Sequence, residues 1–513
     1  MAERAGTLAA GAVAATLGLL TLGTLAVVAL QTGGGLRLAP ADWAALRFTV
    51  WQAVLSALAS VLLAAPVARA LARRRFAGRG ALIALLGAPF LLPVIVTVLG
   101  LLAVFGRAGL LNRGLEALGL PVLSVYGLHG VVLAHVFLNM PLAVRLILQG
   151  WATIPAERFR LAASLGFGPG DLFRHLERPM LREVLPGAAV VIFVICLTSF
   201  AVALTLGGGP RATTLELAIY QALRFEFDLT RAAVLALAQF ALCAAAVLVA
   251  ARLALPAGFG AGLDRTALTL APGGWRRGLD ALAIALAAGF LLAPLGAVVA
   301  AGLPGLGSLP DTVWAAAGRS VSVALASTLV SVAGALVLAL AAARGAWGFE
   351  LAATLPLAAS SLVLGTGLFL AVYPFVSPAS MALPVTVLVN AALSLPFAFR
   401  VILPEARRMQ ADHGRLAEAL GLRGMARLRW LVVPRLRRPL GFALGICAAL
   451  SMGDLGVIAL FAGEREETLP LLVQRLVGAY QMQAAASASL LLVALSFGLF
   501  WLFDWGGRRG AEA

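Results

Sequence analysis

Apolar stretches long enough to cross a bilayer recur along the whole chain. They lie near residues 8–30, 48–71, 81–105, 125–150, 185–206 and 231–254, then 279–302, 318–342, 350–374, 383–404, 438–462 and 484–504. An α-helix rises about 1.5 Å per residue, so roughly 20 apolar residues cross a hydrocarbon core about 30 Å thick. A helix also satisfies its own backbone hydrogen bonds, which lipid cannot do for it. The stretches therefore predict an all-α polytopic membrane protein of about 12 transmembrane helices. Composition agrees: 61% of the residues are hydrophobic and only 12% charged, far from the balance of a soluble domain. The run at 8–30 is too long for the apolar core of a secretory leader, and other spans follow it, so it reads as a first membrane helix.

The net charge of +16 comes from 39 basic residues, all of them Arg. No separate basic domain collects them, which argues against nucleic acid. With the N-terminus inside, 10 Arg fall outside and the other 29 fall on the inner loops or inner ends of spans. The positive-inside rule then predicts a multi-pass protein with both termini in the cytoplasm. The three cysteines, Cys196, Cys243 and Cys447, lie in apolar runs with no metal-ligand or disulfide spacing.

Two polar segments interrupt this pattern. "RLAASLGFGPGDLFRHLERP" (160–179) and "RLAEALGLRGMARLRWLVVP" (415–434) superimpose without a gap on a shift of 255 residues. The register extends upstream, where "PLAVRLIL" (141–148) meets "PFAFRVIL" (396–403), and 14 of the 39 positions from 141 to 179 are identical. Each copy falls between the fourth and fifth spans of its half, so the halves share one orientation, a parallel repeat. The expected units are residues 1–255, a cytoplasmic linker at 256–278, and residues 279–513. In each copy a helix is expected up to Gly166 or Gly421. In the first, a short second helix capped by Asp171 follows, and Pro179 ends it; Pro434 ends the second copy at the same spacing. A solvated basic loop that anchors topology would explain the arginines. It would not explain why Gly and Pro keep their spacing twice.

The pattern resembles the EAA loop of membrane permeases from ATP-binding-cassette importers, here at 156–182 and 411–437. In that family the loop forms a coupling helix seated in a groove of the ATPase. Ala162, Gly166 and Pro179, with Ala417, Gly421 and Pro434, fit the family pattern of Glu-Ala-Ala-x-x-x-Gly followed by Pro. Arg160 and Arg415 replace its Glu, which removes whatever salt bridge that Glu makes. Phe173 and its repeat-mate Leu428 are the expected apolar contacts to the ATPase. Outside the loops, "YGLHGVVLAHVFLNMPLAVRLILQ" (126–149), "SFAVALTLGGGPRATTLELAIYQAL" (199–223) and residues 49–79 are similar to the permeases of bacterial thiamine importers. The resemblance implies two fused six-helix permease units in the bacterial inner membrane, importing thiamine, with its phosphate esters, from a periplasmic binding protein. Fused permeases for ferric iron share the architecture and remain the alternative.

The chain contains no G-x-x-x-x-G-K-[ST] phosphate cradle and no lysine to complete one. ATP and Mg²⁺ are thus expected on a separate cytoplasmic ATPase homodimer, and this chain is expected to hold no cofactor, metal or catalytic group. Polar residues within spans are costly and mark candidate pathways. The candidates are His135, Asn139, Thr198, Ser199, Asn390 and Asp454. An anionic Asp454 suits a cationic cargo in a wet cavity; an Asp satisfied by a neighbouring helix, for instance through Ser451, fits as well. An ion-coupled carrier would have to explain the two matched cytoplasmic helices, and a membrane scaffold would not need the intramembrane polar groups.

Overall fold

A computed structural model describes residues 2–509 apart from 34, 36, 88, 90, 210, 211 and 253–273, so most of the expected linker at 256–278 lies outside the described residues. Eleven of the described helices are long and apolar enough to cross a membrane. The number is twelve when Gly348–Ala358 and Ser361–Val372, bent by 88°, count as one span. The chain is the expected all-α polytopic membrane protein. In order the helices are α1 (Gly6–Gln31), α2 (Pro40–Arg73), α3 (Arg79–Leu85), α4 (Val94–Phe105), α5 (Leu110–Ala117), α6 (Leu128–Thr153), α7 (Ala156–Ser164), α8 (Arg178–Leu197), α9 (Phe200–Leu206), α10 (Leu215–Gln221) and α11 (Leu229–Arg252). The second series is α12 (Trp275–Gly302), α13 (Asp311–Ala342), α14 (Gly348–Ala358), α15 (Ser361–Val372), α16 (Ala382–Ala419), α17 (Val433–Met452), α18 (Gly456–Phe461), α19 (Leu469–Gly478) and α20 (Met482–Arg509).

Four of the expected spans are interrupted. Residues 81–105 divide into α3 and α4, because Pro89 and Pro93 have no N–H to donate and Pro93 disfavours helical backbone in the residue before it. Residues 185–206 break at Thr198–Ser199, 350–374 at the bend before Ser361, and 438–462 between Met452 and Gly456. An interrupted helix frees carbonyls that lipid cannot satisfy. Where α8 stops, Gln52 Nε2 donates to the carbonyl of Cys196 at 3.0 Å and Gln239 Nε2 donates to that of Leu197 at 2.9 Å. The two glutamines, fully buried in α2 and α11, act as polar plugs for a helix end inside the bundle.

Helices α2, α6 and α8 pack together in the first half, and α13, α16 and α17 in the second. The first helix of each half leans on the other: α1 lies on α13 and α15, and α12 lies on α4 and α2. Small residues let these backbones approach. A Cβ at Gly100 in α4 would sit 2.7 Å from the Pro294 carbonyl oxygen of α12. One at Gly367 in α15 would sit 2.6 Å from Cβ of Thr24 in α1. Arg74, just past α2, pairs with Asp280 of α12 at 2.6 Å.

Candidate functional site: the matched segments and a cavity between the halves

Helix α7 ends in a Schellman cap. Gly166 takes φ +67°, its N–H donates to Ala163 O at 3.1 Å, and the Phe167 N–H donates to Ala162 O at 2.9 Å. The second copy repeats it: Gly421 takes φ +66°, its N–H donates to Glu418 O at 3.0 Å, and Leu422 N–H donates to Ala417 O at 2.9 Å. A left-handed residue after the last turn permits this bond pair, and glycine is the residue that takes that conformation without strain. Ala162 and Ala417 lie on the inner side of the last turn and are buried, whereas Arg160 and Arg415 point to solvent. The alanine and glycine of the motif are thus packing and capping residues, and its basic position lies on the open face.

Beyond the cap, the structure corrects the expectation. Asp171 is the third residue of its helical turn, not the cap: its Oδ2 accepts the Gly168 N–H at 3.1 Å. Pro179 and Pro434 end nothing. They stand in the first turn of α8 and α17, where a missing N–H costs little. The chain runs from a short turn (Pro169–Leu172, Gly424–Arg427) through a π-helical turn (Phe173–Glu177, Leu428–Val432) directly into the span. Each segment is therefore continuous with a membrane helix.

The copies differ upstream. Pro155 separates α6 from α7, whereas at the matching Gln410 helix α16 continues unbroken to Ala419. They also differ in anchorage. Buried Glu177 pairs with Arg69 at 2.9 Å and with Arg73, both on α2, while its counterpart Val432 is packed in the apolar core.

The two expected apolar contacts differ in exposure. Leu428 is half-buried against its own core and is not presented outward. Phe173 is partly exposed, with the Arg69 guanidinium 5.2 Å from its ring centre. The pairs exposed in both copies are Leu161 and Leu416, at 59% and 58%, and Leu165 and Leu420, at 61% and 65%. Both pairs are identical in the repeat, which was the available signal: a leucine kept on a helix otherwise facing solvent.

The intramembrane polar candidates fall into separate groups. His135 Nδ1 lies 3.1 Å from Ser56 Oγ, and Asn139 Nδ2 donates to the His135 carbonyl at 2.9 Å and reaches Cys196 Sγ at 3.6 Å. In the second half Asn390 Nδ2 donates to Ser451 Oγ at 3.0 Å, and Ser327 Oγ donates to the same oxygen at 2.8 Å. These buried bonds join α2 to α6 to α8, and both α13 and α16 to α17. Thr198 and Ser199 form the break after α8. Asp454 forms the break after α17; its Oδ1 accepts the Gly456 N–H at 3.4 Å, its buried Oδ2 has no hydrogen-bond partner among the described residues, and its side chain makes no bond to Ser451.

None of the six lines the large cavity between the halves. That cavity, of about 400 Å³, is walled mainly by apolar residues from α6, α16, α17, α20 and the α3–α4 break. Arg145 of α6 and Arg400 of α16 project into it.

No protein-family model matches the chain. Curated relatives do. The chain is 40% identical over 525 residues to the thiamine transport system permease protein ThiP of Brucella abortus, covering 98% of this chain and 96% of that protein. It is 40% identical over 477 residues to the ThiP of Salmonella typhimurium and 39% identical over 479 residues to that of Escherichia coli, covering 90% of this chain and 88% of each relative. Identity at that level, sustained across two halves whose segments share the same caps and π turns, places this chain in the family of thiamine transport system permease proteins.

Proposed function

We propose that this chain is the membrane permease of an ATP-binding-cassette importer that carries thiamine and its phosphate esters from periplasm to cytoplasm. Its two halves are parallel permease repeats, and the segments at 156–182 and 411–437 are the coupling helices on which a cytoplasmic ATPase homodimer docks. ATP and Mg²⁺ belong to that partner, and a periplasmic binding protein delivers the cargo on the opposite face. Both termini lie in the cytoplasm, a reading supported by the division of arginines, 29 on the inner side against 10 on the outer.

The observation that carries the proposal is mechanical. Both copies end a helix in the same Schellman cap, expose a leucine pair beside it, and continue through a π turn into a core membrane helix. A two-fold partner closing on the leucines would move α8 and α17 as levers. The test is copurification of the ATPase with Leu161→Asp paired with Leu416→Asp. A carboxylate forced into an apolar groove costs several kcal/mol, so the pair should abolish copurification and transport while the permease remains inserted. Unchanged copurification would return the segments to the role of topology anchors.

A further inference from the structure

Arg145 and Arg400 are separated by 255 residues, the offset of the repeat, and both face the cavity between the halves. Each follows a helix-interior proline by four residues, Pro141 in α6 and Pro396 in α16. Neither has an ion-pair or hydrogen-bond partner among the described residues. Among the described residues the remaining wall offers no acid; its third arginine, Arg508, is already paired with Asp504 at 2.6 Å. Among the described wall residues, Gln149 is the one uncharged polar side chain beside them. The Arg145 guanidinium rests against the backbone of the α3–α4 break, where a Cβ on Gly87 would come 2.7 Å from its Nη1. The glycine leaves the guanidinium room to lie in the cavity wall.

Two guanidiniums in a largely apolar cavity, with no carboxylate among its described residues to neutralise them, form a site for an anion. Their planar forks match the oxygens of a phosphoryl group and bind it bidentately. They would repel a bare cation: the thiazolium of thiamine gains nothing from them, whereas a phosphate ester brings between one and two negative charges. Gln149 lies one turn before the end of α6 and Arg508 in the last turn of α20, so the site sits toward the end of the bundle that carries the coupling segments.

The geometry points to Arg145 and Arg400 as a phosphoryl-binding pair in the cavity between the halves, through which the permease itself favours phosphorylated cargo over free thiamine. The inference rests on the proposed import of thiamine. It adds a selecting site within this chain, separate from any selection by the binding protein.

The test measures uptake of thiamine and of thiamine diphosphate by the full complex in proteoliposomes, at saturating loaded binding protein. Arg145→Gln and Arg400→Gln should each lower the diphosphate-to-thiamine uptake ratio about 10-fold, and the double variant more, since each removes a charge-assisted bond. Arg→Lys at either position should give an intermediate ratio, keeping the charge but losing the fork. A ratio that stays at the wild-type value, or equal loss of both cargoes, overturns the inference. Phospholipid copurifying with wild type and variants is quantified by mass spectrometry. Loss of anionic lipid at an unchanged uptake ratio would assign the pair to a lipid headgroup, against the inference. Failure of the wild-type complex to carry either cargo would instead overturn the thiamine reading.

Discussion

Replacing Gly421 isolates the work done by the cap, because a Cβ there would meet nothing within 4 Å, as at Gly166. Any penalty is then conformational. A left-handed backbone costs an L-residue about 1–2 kcal/mol, with the β-branched residues at the upper end and Asn near the bottom. At about 2 kcal/mol, Gly421→Val disfavours the capped conformation by roughly 30-fold, whereas Gly421→Asn changes it by only a few-fold. Amide hydrogen exchange reads this directly at Leu422, whose N–H is held by the Ala417 carbonyl. Its protection should fall by roughly 30-fold in the Val variant while the core helix α17 keeps its own. The frayed last turn carries Leu420 and adjoins Leu416, so ATP hydrolysis stimulated by loaded binding protein should fall with it, at unchanged permease abundance. Gly166→Val should act independently, the two losses adding in free energy. Equal damage from Asn and Val, or unaltered exchange in the Val variant, would refute a role for the left-handed cap.

Other perturbations reach the buried bonds and the topology. Glu177→Ala removes the buried partner of Arg69 and Arg73 and should cost about 3 kcal/mol, the low end for a buried pair because Arg69 is partly exposed; thermal unfolding measures it, and Val432→Ala should not reproduce the loss of ion pairing. Gln52→Leu strands the Cys196 carbonyl at the end of α8 and should destabilise by about 1–3 kcal/mol, read by the same assay. A single cysteine at Gly168 or at exposed Met425, in a background lacking the three buried native cysteines, should resist impermeant thiol reagents in intact cells. Labelling from outside would reverse the proposed topology.

Hydropathy reveals the number of membrane passages because burial in lipid acts on side-chain composition over some 20 residues. It does not reveal the breaks at Thr198–Ser199 or after Met452, since one or two polar residues are averaged away among the apolar neighbours in such a window. The prolines at 89 and 93 are visible, but their consequence is averaged away in the same window. In the matched segments, the glycine and alanine can be read from the repeat because the Schellman cap is a local demand, made by bonds a few residues long. Leu428 is not legible for the opposite reason: which side of a short turn faces its own core depends on α16 and α17, which no local pattern encodes. Pro179 has the look of a helix stop, yet the first turn of a helix accepts proline equally well, and spacing does not separate the two. The identity of Arg145 and Arg400 across the repeat is plain in the sequence, but their facing one cavity becomes visible only once the two halves are brought together.

If this chain is the conduit of a thiamine importer driven from outside itself, transport must depend on partners it does not contain. ATP-dependent uptake of labelled thiamine into proteoliposomes holding this permease with its ATPase and binding protein measures that dependence. Uptake should require all three proteins and ATP, and should be lost with Leu161→Asp paired with Leu416→Asp. Uptake of ferric iron in place of thiamine, or thiamine uptake by the permease alone along an ion gradient, would contradict it.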